Sequence, residues 1–555
     1  MEDSDDILAI CGVFTGRGRL LTASEIRLPR PNTTPQFVPF IQANPLVNSP
    51  SPLRIQAWAA LLEDYPGHLP SILVGILTFG CEIGSNLSLR ARNCKNLISC
   101  LKDPGIISQK IAEDLALGRI RVALSPIVTS PLGLVPKSDG GWRRIHNLSS
   151  PIGDSVNCHI PPEFGALEYT TVSAILEHVR KAGRGCILIK RDLKDAFRNI
   201  PLSIQSRRLM GFYWRGITYE ECCLSFGLRT APFLFNLFAE GLHWILAAKL
   251  AFPIEHYLDD FIFIIQNATD AAYTAQTYIE VTDELGVPRN DSKDAEGTEV
   301  IVLGYTIDTA LMEIRLSEEK QEKALIQINA ALYHGSLSLY QAQQLSGRLS
   351  WSAVVIRLGR SYSRSLWTFM TNWPAHLKRH MPRRFSSEVR NDLQLWRESL
   401  IISNGIRFLD DLHRDIFHLF TDASSQVGYG GFYFRESSEL DHWPAYLTTL
   451  PQCNAFATLP PDRQVEDHIN QKEMHAIGEA FTRWSPNWKG ASVSIHTDSL
   501  VASQGLVKTV LKGPGNLSLR AVILAAVQYD IEITTSWVPG VDNGLADALS
   551  RGFNR

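Results

Sequence analysis

The sequence has no CxxC pair among its nine cysteines, and neither Cys94 nor Cys100 has a histidine or cysteine at zinc-ligand spacing. A zinc ribbon and a disulfide scaffold are thereby excluded, which leaves reduced thiols of an intracellular protein as the expectation. Long hydrophobic runs are missing too. The longest, Ile72 to Cys81, falls far short of the ~20 residues of a membrane helix. The opening residues MEDSDD are acidic where a signal peptide would be basic. Internal repeats and low-complexity tracts are absent. Nor is there an excess of one charge, since 54 Lys+Arg face 57 Asp+Glu for a net −3. That excludes a uniformly basic nucleic-acid coat but leaves local patches open. A soluble intracellular protein without membrane contact is expected, in the cytoplasm or the nucleus.

What is present is ordinary globular material, 45% hydrophobic and 20% charged over 555 residues, enough for three or four domains. Residues 1–52 read as an arm ending in a proline-rich linker, with seven prolines between positions 28 and 52. Residues 53–116 read as a helical extension and 117–305 as a mixed α and β body. Residues 306–411 read as mainly helical, and 412–555 return to strands interleaved with helices. Ser338 and Gln341 form a capping box ahead of Ala342, Leu345, Leu349, Ala353 and Ile356 at helical spacing. The 65 residues between Glu322 and Glu388 contain no acid. They do contain Arg348, Arg357, Arg360, Arg364, Lys378 and Arg379. A solvated helix face interleaves both signs, so this run points to contact with a phosphate backbone. Trp351, Tyr362, Trp367 and Trp373 lie among these cations, and core packing is the simpler role for each.

Two groups of acids carry the chemistry. The apolar run Cys186 to Ile189 suits a buried strand and leads through Lys190-Arg191 to Asp192. Further on, His256 to Leu258 and Phe261 to Ile264 are separated by Asp259-Asp260, which predicts a β-hairpin with two carboxylates at its tip. Asp tolerates turns, so a purely structural hairpin is the alternative for this element alone. Adjacent carboxylates repel unless cations neutralise them. If the strand ending at Asp192 neighbours the hairpin, Asp192 and Asp259 could share two hard divalent ions suited to phosphoryl transfer. The second group is more dispersed: Asp422 and Asp498 each end an apolar run, Glu473 opens a helical stretch, and Asp547 lies in a helix beginning near Asn543. Asn470 with Glu473 also makes a plausible capping box.

The wording around these acids carries a resemblance. KRDLKDAFRNIPL (190–202), SFGLRTAPFLFN (225–236) and HYLDDFIF (256–263) resemble, in order, the polymerase motifs of reverse transcriptases. SPLGLVPKSDGGWRRIHNLSSP (130–151), GVPRNDSK (286–293) and LGYTI (303–307) resemble their flanking segments. The resemblance implies a right-hand polymerase with fingers, palm and thumb. In it Asp192, Asp259 and the Leu193 carbonyl are metal ligands and Asp260 stands beside them. It makes Lys137 and Arg143 the cations on the incoming triphosphate, and Phe197 the ring that crowds the ribose 2′-carbon. Gly227 becomes the point of close approach to template or base pair, and Lys293 the acid that protonates pyrophosphate. Phe226, where retroviral enzymes carry Gln, is given only packing.

FTDAS (420–424), INQKEMHAI (469–477), IHTDS (495–499) and WVPGVDNGLADALSR (537–551) resemble a ribonuclease H domain. This implies an α/β ribonuclease H-like fold in which Asp422, Glu473, Asp498 and Asp547 hold metal. Pro539 to Leu545 contain no histidine, where some members of that family carry a mobile one, which implies slower product release. The implied cofactor is Mg²⁺, with Mn²⁺ as a substitute, two ions per active site. The implied partners are an RNA template, a DNA primer, an RNA–DNA hybrid and dNTPs. The order of segments is that of retroelement polyproteins, with wording closest to DIRS-like elements and Ty3/gypsy-like elements second. A silenced or domesticated copy that binds nucleic acid is the alternative.

Overall fold

The computed structural model describes residues 38–552, apart from 91, 93, 125–126, 137–139, 251, 357–358, 403–404, 408–413, 437–453, 465 and 512. Lys137, Arg357 and most of the N-terminal arm therefore lie outside the described residues. The described residues fall into two compact units, 38–303 with 308–311, and 304–307 with 312–552.

The first unit is centred on a four-stranded antiparallel sheet in the order Ile254–Tyr257, Asp260–Ile265, Ile187–Asp192, Ala295–Gly297. Phe261 to Ile265 form a continuous apolar run and are all buried, as expected of a strand covered on both faces. Helices Ala231–Lys249 and Ala268–Leu285 pack against this sheet. The first of these is long and apolar enough to cross a membrane by length and composition, although no single apolar run in the sequence suggested it. Its Leu234, Phe235, Phe238, Leu242, Ile245 and Leu246 are buried in the core of this unit. Helices Ile55–Leu61 and Leu69–Phe79 join that same core: Trp58 meets Phe238 edge-on at 5.4 Å, and Leu62, Leu73 and Ile76 are fully buried. Burying such side chains is worth about 1.5–3 kcal/mol each.

A hairpin of Leu132–Pro136 and Trp142–His146 and a three-stranded sheet (Ile120–Val122, Ile217–Glu221, Gly211–Trp214) complete the unit. They are tied together by a buried ionic network. Glu221, fully buried, accepts from Arg144 at 2.8 Å and from Arg198 at 2.7 Å, and both cations also reach Asp114. Burial pushes the Glu221 carboxyl up, but the Arg144 and Arg198 guanidiniums and His146 outweigh it and bring it down to about 2.

In the second unit, helices Glu318–His334, Leu339–Ser352 and Ser387–Ile402 accompany a small two-stranded antiparallel sheet of Ser336–Ser338 and Pro382–Arg384. The Ser338–Gln341 capping box forms with both of its hydrogen bonds, and Ala342, Leu345, Leu349 and Ile356 are buried as their spacing predicted. A five-stranded sheet follows, in the order Ala455–Thr458, Tyr429–Arg435, Ile416–Ala423, Ser492–Thr497, Glu532–Trp537. Its first three strands are antiparallel and its last three parallel. Parallel neighbours need crossovers, which helices Ile469–Trp484, Leu500–Lys508 and Gly515–Gln528 supply. Helix Gly544–Ser550 begins after Asn543, as expected, and packs on Phe420 and Phe432.

Candidate functional site

The first group of acids is assembled by strand pairing. Asp192 ends its strand directly opposite Asp260, and the Leu193 amide donates to the Asp259 carbonyl at 2.9 Å. The hairpin forms one residue out of the expected frame. Tyr257 pairs with Asp260, so the two-residue tip is Leu258–Asp259, with Leu258 at φ 54°, and Asp260 is the first residue of the returning strand.

Asp192 is buried and accepts from Asn290 Nδ2 at 2.8 Å and Lys293 Nζ at 3.3 Å. Lys190 Nζ lies 3.3 Å from an Asp260 oxygen. Burial first, then the Asp260 and Asp192 charges, push Asp259 up to about 6, and burial and Asp192 also raise Asp260 against the pull of Lys190. An all-oxygen set of repelling, half-buried carboxylates fits a hard divalent cation.

Arg143, Phe226 and Phe197 sit close together in the same unit. The exposed Arg143 lays its guanidinium over the Phe226 ring at 4.4 Å, and Phe226 is tilted against Phe197 at 5.1 Å. Phe226 thus does more than fill space: it is the platform between the cation and the ring. Phe197 also meets Phe235 edge-on at 5.8 Å. Gly227 is required for a reason internal to the chain. Its φ is +109°, and a Cβ there would lie 2.0 Å from the His146 carbonyl oxygen. The close approach expected of a template is already made by the neighbouring hairpin strand.

The second group is tighter. Among the described residues, three ligating side chains come within 4.8 Å of one another only at Asp422, Glu473 and Asp498. Glu473 does not act in a capping box: the helix cap is His468, whose ring accepts from the Asn470 amide. One turn in, the buried Glu473 accepts from the Ala423 amide at 3.3 Å through Oε1, while its buried Oε2 has no hydrogen-bond partner. Burial, then the Asp422 and Asp498 charges, push Glu473 up to about 9. Burial is also the main cause of the raised Asp422 and Asp498 carboxyls. Asp547 stands outside the trio and pairs with Arg551 at 2.7 Å, although its charge adds to the rise of both aspartates. A buried oxygen without a partner, among like charges, fits a hard cation. The histidine-free segment is held by Asn543 Nδ2, which donates to the Thr421 carbonyl at 2.9 Å.

Sequence reading missed Lys190, Asn290 and Ser550, the last of which donates to Asp422 Oδ2 at 2.5 Å. Two had local signals: Lys190 shares a strand face with Asp192, and Ser550 follows Asp547 by three helical positions. Asn290 arrives from a distant loop, and its only signal was its place in the GVPRNDSK segment beside Lys293.

The cations of the acid-free run are partly engaged within the chain. Arg348 donates to Gln327 and Arg379 to Gln343, and the Arg379 guanidinium lies 5.2 Å from the Tyr340 ring centre. Arg360 and Arg364 are half-buried, and Lys378 and Arg379 are exposed. Trp351 stacks on Tyr305 at 5.0 Å.

Residues 135–307 match the family model "Reverse transcriptase (RNA-dependent DNA polymerase)". Among curated proteins, the chain is similar to the retrovirus-related Pol polyprotein from transposon gypsy of Drosophila melanogaster. The two are 24% identical over 375 residues, covering 66% of this chain and 33% of that protein. It is also similar to the Gag-Pol polyprotein of Rous sarcoma virus subgroup B (strain Schmidt-Ruppin), at 23% over 256 residues, covering 44% of this chain and 14% of that one. The chain thus spans a third or less of these relatives. Among solved structures, it resembles a foamy viral protease-reverse transcriptase in complex with ds DNA. That likeness has a TM-score of 0.50 and 16% identity, covers 87% of this chain and 82% of that one, and speaks to the fold. A polymerase fold is followed here by a further α/β domain. The chain carries a reverse transcriptase domain, and its relatives are the Pol polyproteins of retroelements and retroviruses.

Proposed function

We propose that this chain is an RNA-directed DNA polymerase with ribonuclease H activity that copies retroelement RNA into DNA. The observation that carries the reading is that the matched segment encloses the paired Asp192 and Asp260 and the raised Asp259. Asp192, Asp259 and the Leu193 carbonyl would hold two Mg²⁺ ions, and Asp422, Glu473, Asp498 and Asp547 a second pair. Bound there, such ions lower the pKa of an attacking hydroxyl or water and neutralise charge on the phosphate.

The chain's own residues do the rest. Lys137 and Arg143 bind the dNTP triphosphate, a guanidinium fork suiting phosphate oxygens. Phe197 faces the ribose and excludes a 2′-hydroxyl. Lys293 gives a proton to the departing pyrophosphate. Arg348, Arg357, Arg360, Arg364, Lys378 and Arg379 contact the backbone of the template–primer and of the hybrid. In the second site, the 2′-hydroxyl and the shape of the hybrid select the RNA strand. The gypsy relative agrees with the Ty3/gypsy-like lineage, the second of the two named from wording.

The test is primer extension on poly(rA) with Mg²⁺, comparing wild type with Asp259→Asn. Template-dependent dTTP incorporation by wild type alone is expected, and its absence from a folded wild type would sink the reading. Phe197→Ala should admit ribonucleotides; unchanged discrimination removes the gate.

A further inference from the structure

One buried ion pair in the second unit joins two regions that the proposed function uses separately. Arg520, on helix Gly515–Gln528, places Nη2 2.9 Å from Oδ1 of Asp392, on helix Ser387–Ile402. Asp392 is buried, and Arg520 is largely covered. The same guanidinium lies 5.1 Å from the centre of the Tyr362 ring, and Tyr362 meets the fully buried Trp396 edge-on at 6.4 Å. A fork held by a carboxylate on one side and an aromatic face on another has one orientation, which a lysine would not keep.

Each end of this clip continues rigidly. On one side, Arg390 of the Asp392 helix donates to the Leu332 carbonyl at 3.1 Å. The Phe385 amide, just before that helix, reaches the Gly335 carbonyl beside the two-stranded sheet that carries Arg383 and Arg384. That scaffold presents the acid-free basic run. On the other side, Ser518 Oγ lies 2.7 Å from His475 Nδ1, and the Gly515 amide donates to Gln471 at 2.7 Å. At Gly478 the two helices are so close that a Cβ would sit 2.9 Å from the Ser518 Cβ. Those partners flank Glu473 on its own helix. A continuous set of bonded helices therefore runs from the two-stranded basic sheet to the carboxylate trio, and Arg520–Asp392 is a buried ionic joint within it.

We propose that Arg520 is a positioning residue that fixes the offset between the basic run and the Asp422–Glu473–Asp498 trio, and so the distance from a gripped hybrid end at which its RNA strand is cut. This rests on the ribonuclease H reading above. A pair removed from water and stacked on a ring resists sliding, whereas an exposed pair would not.

The test uses the full chain and an RNA–DNA hybrid labelled at one RNA end, with cut positions mapped early in the reaction. Wild type should give a narrow cluster of cuts. In Arg520→Ala the width of that cluster should roughly double, a small loosening at a joint being magnified at the site. Arg520→Lys should fall between. An unchanged distribution in Arg520→Ala overturns the proposal, whatever happens to the rate. Asp392→Asn keeps the volume and gives the same readout should Arg520→Ala fail to fold.

Hydrogen exchange separates this idea from the reading beneath it. If wild type cuts no hybrid, the ribonuclease H reading fails, and exchange still decides the clip. Faster exchange in both helices 387–402 and 515–528 of Arg520→Ala supports the joint, and no change in either overturns it.

Discussion

The two carboxylate sites solve the same electrostatic problem in opposite ways. In the first unit, Lys190 stands against Asp260 and Lys293 against Asp192, with Asn290 adding a neutral donor. Repulsion there is partly offset by the chain itself, and the highest carboxyl reaches only about 6. In the second unit, three carboxylates lie within 4.8 Å of one another, Ser550 donates to one of them, and the nearby Arg551 is paired with Asp547. Glu473 rises to about 9. The first site answers its carboxylates with lysines of the same unit, whereas the second leaves the buried Glu473 among like charges with one carboxylate oxygen unpartnered.

The sharpest way to break this comparison is to disable one site at a time. Asp259→Asn should reduce primer extension to background and leave hybrid cleavage intact, and Asp498→Asn should do the reverse. Loss of both activities from either change would show that the sites are not independent. Next in size is Glu221→Gln, which leaves Arg144 and Arg198 buried without their shared counter-charge. It should destabilise the first unit by about 3–5 kcal/mol in a denaturant titration, with the second unit unmoved.

Metal dependence and pH probe the contrast more finely. The Glu473 carboxyl is raised in the folded state, so the folded chain keeps a proton that the unfolded chain releases. Without metal, the second unit should lose stability as pH rises from the ordinary glutamate range towards about 9. Glu221 has the opposite sign: its lowered carboxyl supports the first unit above the ordinary glutamate range, and that support goes as pH falls towards 2. Calorimetry across pH should therefore show the first unit's transition falling in acid below the ordinary glutamate range and the second unit's falling above it, with the raised Asp259 adding a smaller loss to the first unit as pH rises towards about 6. Mg²⁺ at a hundred times its Kd should stabilise the second unit by about 2.7 kcal/mol and flatten its pH slope. Glu473→Gln should remove both the slope and the metal response; if the slope persists, another group carries it. Smallest is Ser550→Ala, which removes one hydrogen bond to Asp422 and should cost about 1 kcal/mol in the melting of the second unit alone.

How much of this was legible varied with how local the cause was. The Ser338–Gln341 cap and the positions Ala342, Leu345 and Leu349 depend on neighbours three and four positions apart and form as read, while the helix ends at Ser352, short of Ala353 and Ile356. The hairpin at Asp259 was legible as a hairpin but not in its frame: Tyr257 pairs with Asp260 and Leu258 takes the left-handed turn position, which the pattern of apolar residues on either side does not specify. Glu473 looked like a cap partner because Asn470 stands at the right distance. The helix is capped two residues earlier, at His468, and Glu473 is left facing the sheet. Phe226 looked like filler, since nothing in the chain order brings Arg143 onto its ring.

By itself the sequence determined the residue types and their order: acids at strand ends, an acid-free basic run, and the periodicities that make each element. Those follow from local backbone and side-chain preference. Only the tertiary structure decided which acids come together without a cation of the chain beside them and which are answered by lysine. It also decided that Gly227 yields to the His146 carbonyl, and that Arg520 joins two helices. Electrostatic energy depends on distance through space and on burial, and neither is a property of position along the chain.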